Sequence, residues 1–433
     1  MENAEVKIWT PCLSKCGMKE GYSEKTQILM EEFLRKNYQE SNSKFRNLVL
    51  RSLLEDLVDF VGYFTGIPMP TNTVGAISSA LVPFISSKLN DHSRFLDWEL
   101  KNWPEIYSKE LNRCLYLPSI FGRYKGRILI PFVLLYEGTK INYDVSRLLF
   151  IVEDEVFTIP PDIEDKTYKF YRQLRLHLQR KFKFYNALNM RLKSCWFEKD
   201  FVFMKVQPVA YESYVHTNLV LDAREADGES LRMYLHKNGK LEPLESSPLA
   251  NNLGINFLVF TSGGYLSVVR RSENVAFRRG EFCPSASGTI SFFDFCGRKE
   301  VRGNKQLFLR ELEEELGITV NDVKKMEFLG IARDLVRGGE PELFFWIKTD
   351  LSREQILERL RIAKDKFEVE DVFFFDFKQY GILNSEERKD ICRDEYSEFL
   401  ALLKKFLYTY KEALSLNLLA SIALWERSFC RQS

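Results

Sequence analysis

Apolar residues recur at helical spacing in the first quarter of the chain. Leucines and valines from Leu48 to Val61 form one broad face, while Arg51 and Glu55 lie off it. This spacing is typical of an amphipathic helix. After a Pro-rich break at 67–73, an apolar run at 74–88 predicts a second helix. We therefore expect residues 1–112 to form a mainly helical N-terminal domain.

A different pattern begins after residue 112, where branched and aromatic residues concentrate in short runs. The runs at 127–136, 147–159 and 201–210 predict strands. A long basic helix with interleaved aromatic residues is predicted over 166–193. Asn238-Gly239 predicts a hairpin turn between two extended runs. We expect residues 113–245 to form a mixed α/β middle region that contains the basic helix.

The C-terminal half alternates predicted strands and helices. A hairpin is predicted at 255–271, and further strands are predicted at 324–336, 341–350 and 371–377. A helix at 351–365 is predicted before the last of these strands. The alternation predicts an α/β (α+β) fold, with a mixed sheet between helices over residues 246–380. A helical extension is expected over 381–433.

Composition and charge narrow the class of protein. The 433 residues carry 62 basic and 61 acidic side chains, so the net charge is too small to attract nucleic acid or a membrane surface by itself. The eight cysteines are scattered and are expected to be reduced. The N-terminus does not have the pattern of a signal peptide. The apolar segment at 74–89 is shorter than the ~20 residues of a spanning helix. We expect a cytoplasmic protein without a membrane span.

Acidic residues cluster in the segment RELEEELGI, residues 310–318. Asn304 is a favourable N-cap and Gly317 is a favourable residue to end a helix, so a helix is predicted between them. Leucines at helical spacing give this helix a buried stripe. Glu311 and Glu315 are four residues apart and therefore share one face.

The carboxylates of this helix are poorly placed for stability. Glu311, Glu314 and Glu315 lie within about one turn and repel each other. They also lie toward the helix C-terminus, where the macrodipole disfavours anions. A hard cation removes both penalties, and Mg²⁺ prefers oxygen ligands. The cluster therefore predicts a divalent-metal site, although charge alone favours a solvated acidic face.

The segment resembles the second half of the Nudix signature, G-x(5)-E-x(7)-R-E-U-x-E-E-x-G-U, in which U is aliphatic. Every fixed position of that half is matched, by Arg310, Glu311, Leu312, Glu314, Glu315, Gly317 and Ile318. The first half departs from the signature. Its best candidate glycine, Gly288, lies 22 positions before Arg310 instead of 14, so about eight residues are inserted. The first acid of the signature is then Asp294 or Glu300.

The resemblance covers about residues 250–380 and implies a Nudix-type α/β/α sandwich. It also implies hydrolysis of a nucleoside diphosphate linked to another moiety, with Mg²⁺ or Mn²⁺ as cofactor. Glu314 and Glu315 are then metal ligands, and Glu311 is a ligand or the base that activates water. Arg310 orients a glutamate, and the backbone carbonyl near Gly288 completes the metal shell.

Further charged residues flank the signature. The arginines before Gly288 are candidates for binding substrate phosphates, although a solvated hairpin edge explains them equally well. Acids after the signature are candidates for a distant metal ligand or for substrate binding, although acids in such positions are more often solvated surface residues. The candidates are Arg270, Arg271 and Arg279, then Glu340, Glu342, Glu368 and Glu370.

Three functions stay open at this point. The first is an active Nudix-type hydrolase acting on a nucleotide diphosphate derivative, whose helical N-terminal region regulates it or forms a homo-oligomer. The second is a nucleotide-sensing module of bacterial signalling or defence, marked by the altered first half of the signature. The third is an RNA-processing enzyme that uses the basic helix, with nucleic acid as the less favoured partner. The retained acids favour the hydrolase.

Overall fold

The computed structural model describes residues 103–118, 127–181, 186–224, 228–273, 275, 278–295, 297–410 and 413–429. All of these residues belong to the unit Glu99–Ser433. The two helices predicted over 1–112 lie outside the described residues. Among the described helices, none is long and apolar enough to cross a membrane.

The helices in this part of the chain are α1 (Trp103–Ile106), α2 (Pro161–Lys181), α3 (Tyr211–His216), α4 (Leu231–Leu235), α5 (Lys305–Phe308), α6 (Arg310–Leu316), α7 (Arg353–Ile362), α8 (Ser385–Lys389), α9 (Arg393–Tyr410) and α10 (Leu416–Arg427). The strands are β1 (Cys114–Pro118), β2 (Arg127–Glu137), β3 (Leu148–Val152), β4 (Leu188–Glu198), β5 (Phe201–Ala210), β6 (Gly254–Phe260), β7 (Tyr265–Arg271), β8 (Phe282–Cys283), β9 (Ala286–Thr289), β10 (Glu300–Arg302), β11 (Val323–Asp334), β12 (Glu340–Thr349) and β13 (Val369–Asp376).

A mixed sheet of nine strands forms the centre of the described residues. Its main order is β1-β2-β11-β12-β6-β7-β13, and β9 and β8 pair with β6 and β7. Strands β12 and β6 are parallel, whereas the hairpin pairs β11–β12 and β6–β7 are antiparallel. The sheet includes β1 and β2 from the predicted middle region. The expectation of a mixed α/β fold is confirmed.

Alternate residues of β12 face two different helical layers. Phe345 contacts Phe308 of α5, which immediately precedes α6 in the chain. Phe344 and Trp346 instead pack in a core that contains Trp425 of α10. Successive side chains of a strand point to opposite faces, so α5 and α10 cover opposite faces of the sheet. Each fully buried aromatic or branched side chain of these layers stabilises the fold by roughly 1.5–3 kcal/mol.

A second sheet of four strands has the order β10-β3-β5-β4 within the described residues. Its edge strand β10 pairs with β3, with Glu300 opposite Ile151. Strand β10 lies between Gly288 and Arg310, inside the stretch that lengthens the signature. The segment between Gly288 and Arg310 therefore contributes an edge strand to the second sheet.

The predicted basic helix over 166–193 is wrong in its C-terminal part. Helix α2 ends at Lys181, and residues 188–198 form β4. Arg191 is buried and donates to Gln207 at 3.1 Å and to the carbonyl of Ser247 at 2.6 Å. Arg191 therefore lies in a strand and is hydrogen-bonded inside the protein, and it does not belong to a solvated helix face. The basic face of α2 is shorter than predicted.

The hairpin predicted at Asn238-Gly239 is also wrong. The residues before it form α4, because the Ser230 side chain accepts a hydrogen bond from the backbone N–H of Met233 and caps the helix. Gly239 has a φ of 71° and ends a turn instead. The predicted hairpin at 255–271 is confirmed as β6 and β7, and the strands predicted at 324–336, 341–350 and 371–377 as β11, β12 and β13.

Candidate functional site

The acidic segment forms two short helices in sequence. Helix α5 begins after Asn304, whose side chain accepts a hydrogen bond from the backbone N–H of Leu307 at 3.0 Å. Leu309 separates α5 from α6, and Gly317 ends α6 with a φ of 67°. Glycine adopts this left-handed conformation without the strain that a side chain introduces. The expected caps at Asn304 and Gly317 are therefore confirmed.

Strand β9 lies against α6 at the predicted site. A Cβ atom on Gly288 would lie 2.2 Å from Cδ of Glu311, so a side chain at this position requires the Glu311 side chain or α6 to move. The backbone N–H of Ser287 donates to Oε2 of Glu315 at 3.4 Å. Gly288, Glu311 and Glu315, which the sequence assigned to one site, are therefore neighbours.

Arg310 connects α6 to the segment after β9. Its guanidinium pairs with Asp294 at 3.0 Å, with Glu311 at 2.9 Å and with Glu314 at 2.9 Å. The expected pairing with a glutamate is therefore present. Of the two candidates for the first acid, Asp294 lies beside Arg310, whereas Glu300 is exposed on β10.

Glu314 is held by two cations. Lys364 donates to one of its oxygens at 2.5 Å, and Arg310 donates to the other at 2.9 Å. Partial burial opposes ionisation, but the hydrogen bond from Lys364 and the charge of Arg310 outweigh it and lower the pKa of Glu314. Sequence reasoning missed Lys364, which lies 50 residues further along the chain.

Glu311 and Glu315 share a buried and negatively charged environment. Burial raises the pKa of Glu311 to about 7, against the opposing charge of Arg310. Burial also raises the pKa of Glu315 well above its usual range, and the charges of Glu311 and Glu368 add to this effect. Neighbouring buried carboxylates resist ionising together unless a cation compensates them.

Glu368 is the acid after the signature that acts on both of these carboxylates. Arg271 pairs with Glu368, with 2.9 Å between Nη2 and Oε2. The charge of Arg271 also acts on Glu315. Arg271 is therefore the candidate phosphate-binding arginine that lies beside the predicted metal ligands.

The other candidate arginines lie elsewhere. Arg270 pairs at 3.3 Å with Glu370, and both side chains are exposed. Arg279 is exposed and donates to the backbone carbonyl of Val275 at 2.9 Å. Neither residue has a described contact with Glu311 or Glu315.

Glu342 lies on the opposite face of the sheet from α6. Its carboxylate accepts hydrogen bonds from Asn256 at 2.7 Å and from Asn417, at the start of α10, at 3.3 Å. Glu340 lies on the same face and accepts a hydrogen bond from Tyr214 at 2.7 Å. That these two acids face away from α6 could not be predicted from the sequence, because it depends on the strand register.

The donor chemistry of the site suits a hard divalent cation. Glu311, Glu315 and the backbone around Gly288 offer only oxygen ligands, as Mg²⁺ and Mn²⁺ prefer. Arg310 compensates the charge of Glu311 in part, but the pKa values of Glu311 and Glu315 are still raised, so such an ion would add charge that the two carboxylates need. Among the described residues, no group of three His, Cys, Asp or Glu side chains is arranged to hold a metal ion. Glu314, the third predicted ligand, is bound by Arg310 and Lys364 instead.

Comparison with known proteins adds little to this geometry. No model of a protein family matches the sequence, and no curated protein matches it. Among solved structures, the chain is similar to the DR0079 protein of Deinococcus radiodurans, with 12% identity over 37% of this chain and 82% of that chain, and a TM-score of 0.21. A TM-score this low carries no argument about fold or function.

Proposed function

We propose that residues of about 250–380 form a Nudix-type hydrolase that cleaves a nucleoside diphosphate linked to another moiety, with Mg²⁺ or Mn²⁺. The observation that carries the proposal is the contact between Gly288 and Glu311, beside the buried Glu315. It supports the proposal because Gly288, from the first half of the signature, lies against Glu311, from the second half, although about eight inserted residues separate the two halves in sequence.

In this proposal, Glu311, Glu315 and the backbone carbonyl near Gly288 would hold the cation, and Glu368 would become a further ligand only after it leaves its ion pair with Arg271. The cation would neutralise the diphosphate and acidify a bound water. Glu311 is a ligand or the base that accepts a proton from that water. Arg271, beside Glu368, binds a phosphate oxygen of the substrate.

Two residues of the signature then have supporting roles. Arg310 keeps the carboxylate of Glu311 oriented through its ion pair at 2.9 Å. Glu314 joins the metal ligands when Lys364 releases it. Arg310 is accordingly a positioning residue.

The second candidate function is a nucleotide-binding module with little or no turnover. It is favoured by the ion pairs of Asp294 with Arg310 and of Glu314 with Arg310 and Lys364. These pairs occupy two of the acids that the signature would assign to the metal. A site with fewer free carboxylates is expected to hold an ion less tightly.

The remaining expectations about partners and location are also proposals. Cys114, Cys195, Cys283 and Cys392 are free thiols in the described part of the chain, as proposed for a cytoplasmic protein. Oligomerisation through residues 1–112 is a further proposal. RNA processing is the weaker alternative, because Arg175 of α2 is paired with Glu212 at 2.7 Å, which reduces the free basic face.

A screen of nucleoside diphosphate derivatives with Mg²⁺ or Mn²⁺ tests the proposal on the full chain. We expect release of a nucleoside monophosphate by the wild type and by Glu313→Gln, whose side chain is exposed on the same helix. Glu315→Gln should abolish turnover. Unchanged turnover in Glu315→Gln contradicts the proposal, and tight binding without turnover in the wild type supports the binding module.

A further inference from the structure

A short segment at residues 364–368 connects α7 to β13 and contacts two sides of the candidate metal site. At its start, the backbone N–H of Asp365 donates to the carbonyl of Glu314 in α6 at 2.8 Å. At its end, the carbonyl of Glu368 accepts a hydrogen bond from the backbone N–H of Ser272, directly after β7, at 2.9 Å. We name residues 364–368 the bridging segment.

The two backbone contacts lie close together because the bridging segment forms a tight turn. The backbone N–H of Glu368 donates to the carbonyl of Asp365, three residues earlier, at 3.0 Å. A turn closed in this way brings the Cα atoms of its end residues within about 7 Å of each other. Backbone hydrogen bonds therefore run without a break from Glu314 through Asp365 and Glu368 to Ser272. They hold the acidic helix and the end of β7 at one place.

Two ion pairs accompany these backbone contacts. Nζ of Lys364 lies 2.5 Å from Oε1 of Glu314, and Nη2 of Arg271 lies 2.9 Å from Oε2 of Glu368. The bridging segment contributes one partner to each pair, Lys364 as a cation and Glu368 as an acid. Each pair therefore joins a cation suited to phosphate with an acid suited to a metal ion.

Neither cation is fully committed to its carboxylate. The Lys364 side chain is 71% exposed, and an ammonium on a flexible stem reorients easily. Nε of Arg271 is buried and has no hydrogen-bond partner among the described residues, so Glu368 does not use all the donors of this guanidinium. Phosphate oxygens accept two parallel hydrogen bonds from one guanidinium, which is a stronger contact than a single bond. Both cations are therefore able to exchange a carboxylate for a phosphate.

Acids outnumber cations at the candidate metal site. Five carboxylates lie there, and three cations of the described residues are paired with them. The acids are Asp294, Glu311, Glu314, Glu315 and Glu368, and the cations are Arg310, Lys364 and Arg271. A divalent cation compensates the excess of negative charge. A diphosphate beside it adds negative charge again, and that charge needs cations of its own.

We propose that Lys364 joins Arg271 as a phosphate-binding cation, and that both exchange their carboxylates for phosphate oxygens when Glu314 and Glu368 bind a divalent cation. The inference rests on the proposed function, because it takes the diphosphate to lie beside the metal ligands. The two released acids add oxygen ligands of the kind that Mg²⁺ and Mn²⁺ prefer. The two released cations pair with the negative charge of the diphosphate. Metal binding and diphosphate binding therefore strengthen each other.

Lys364 then has opposite effects on the two ligands. It competes with a metal ion for Glu314, but it contributes to diphosphate binding once it is released. Lys364→Met should strengthen the binding of Mn²⁺ alone about two- to fivefold, and should weaken diphosphate binding in the presence of Mn²⁺ about fivefold. A lysine that only stabilises α6 would not shift the two affinities in opposite directions.

Titrations of the full chain with Mn²⁺ alone, and with methylenediphosphonate at saturating Mn²⁺, test this inference. Methylenediphosphonate is a diphosphate analogue that carries no base and is not hydrolysed, and its chelation of Mn²⁺ in solution is the same for every variant. Lys364→Arg keeps the charge and should bind the diphosphonate about as tightly as the wild type. Lys366→Met is the matched control and should change neither affinity. Lys366 is exposed in the same segment and donates to the carbonyl of Arg361 at 2.9 Å.

Unchanged diphosphonate affinity in Lys364→Met, or an equal loss in Lys366→Met, overturns the exchange of partners. Weaker binding of Mn²⁺ alone in Lys364→Met, or no binding of the diphosphonate to the wild type, also overturns it. Opposite shifts in Lys364→Met without turnover of any nucleoside diphosphate derivative by the wild type mean that the proposed hydrolase fails while the exchange stands. Turnover by the wild type with unchanged diphosphonate affinity in Lys364→Met means the reverse.

Discussion

Gly288 of β9 approaches Glu311 of α6 so closely that an added Cβ would lie 2.2 Å from the carboxyl carbon. Gly288→Ala should therefore displace the Glu311 side chain from β9 and lower the free energy of unfolding by about 1–3 kcal/mol. Gly263→Ala is the matched control, because its Cβ would have no neighbour closer than 3.4 Å. Urea denaturation of both variants checks this, and equal stability contradicts the close approach.

Lys364→Met should strengthen Mn²⁺ binding, because it removes a cation that competes for Glu314. An exposed ion pair contributes about 0–1 kcal/mol, so we expect a gain of about two- to fivefold in affinity. Lys366→Met controls for the general loss of positive charge, since Lys366 is exposed and donates to the backbone of Arg361. Isothermal titration with Mn²⁺ measures both. An equal gain in Mn²⁺ affinity in both variants would show that the contact of Lys364 with Glu314 does not affect metal binding.

Arg388 and Glu327 form a buried ion pair that anchors α8 to β11. Arg388 is fully buried, and its guanidinium contacts the Glu327 carboxylate at 2.5 Å. Arg388→Met leaves that carboxylate with the exposed Lys325 at 3.2 Å as its cation, so the cost should lie near the lower end of the range for a broken buried pair, at about 3 kcal/mol. Lys324→Met, which breaks an exposed pair with Asp350, should cost less than about 1 kcal/mol. Similar denaturation midpoints for the two variants would rule out this role.

His236 should make the fold sensitive to acid. Burial, and then the charges of Arg232 and Arg333, lower its pKa to about 3 from an ordinary value near 6.5. Between these values the unfolded chain binds a proton that the folded chain does not, so stability falls as the pH drops below about 6.5.

The slope from this group is about 1.4 kcal/mol per pH unit in that window. His236→Asn should flatten it in chelator-treated protein, while the difference between variant and wild type stays constant above pH 7. Denaturation midpoints from pH 4 to 8 measure this. Parallel curves for variant and wild type over the whole range would refute the assignment.

Local rules explain why much of the fold was predictable. Asn304 and Gly317 act through hydrogen bonds and backbone conformation within a few residues, so their positions bracket α5 and α6. The alternation of β6 and β7 around a Gly-containing turn is equally local. The four-residue spacing of Glu311 and Glu315 is also a local feature, and it predicts both carboxylates on one face of the helix.

The features that were not predictable depend on contacts between distant residues. Strand β10 forms because Glu300–Arg302 pairs with β3, about 150 residues earlier. Arg191 lies in a stretch whose apolar pattern fits a helix or a strand, and pairing with β5 decides the outcome. Lys364 contacts Glu314 because of tertiary packing. Glu342 faces away from α6 because of the register of β12.

The central claim is that Glu311, Glu315 and the backbone near Gly288 form a divalent-cation site. Electron paramagnetic resonance counts free and bound Mn²⁺ directly and needs no substrate. We expect one tight Mn²⁺ in the wild type and in Glu313→Gln, and at least about tenfold weaker binding in Glu315→Gln. Equal Mn²⁺ affinity in Glu313→Gln and Glu315→Gln, or no saturable site in the wild type, would contradict the claim.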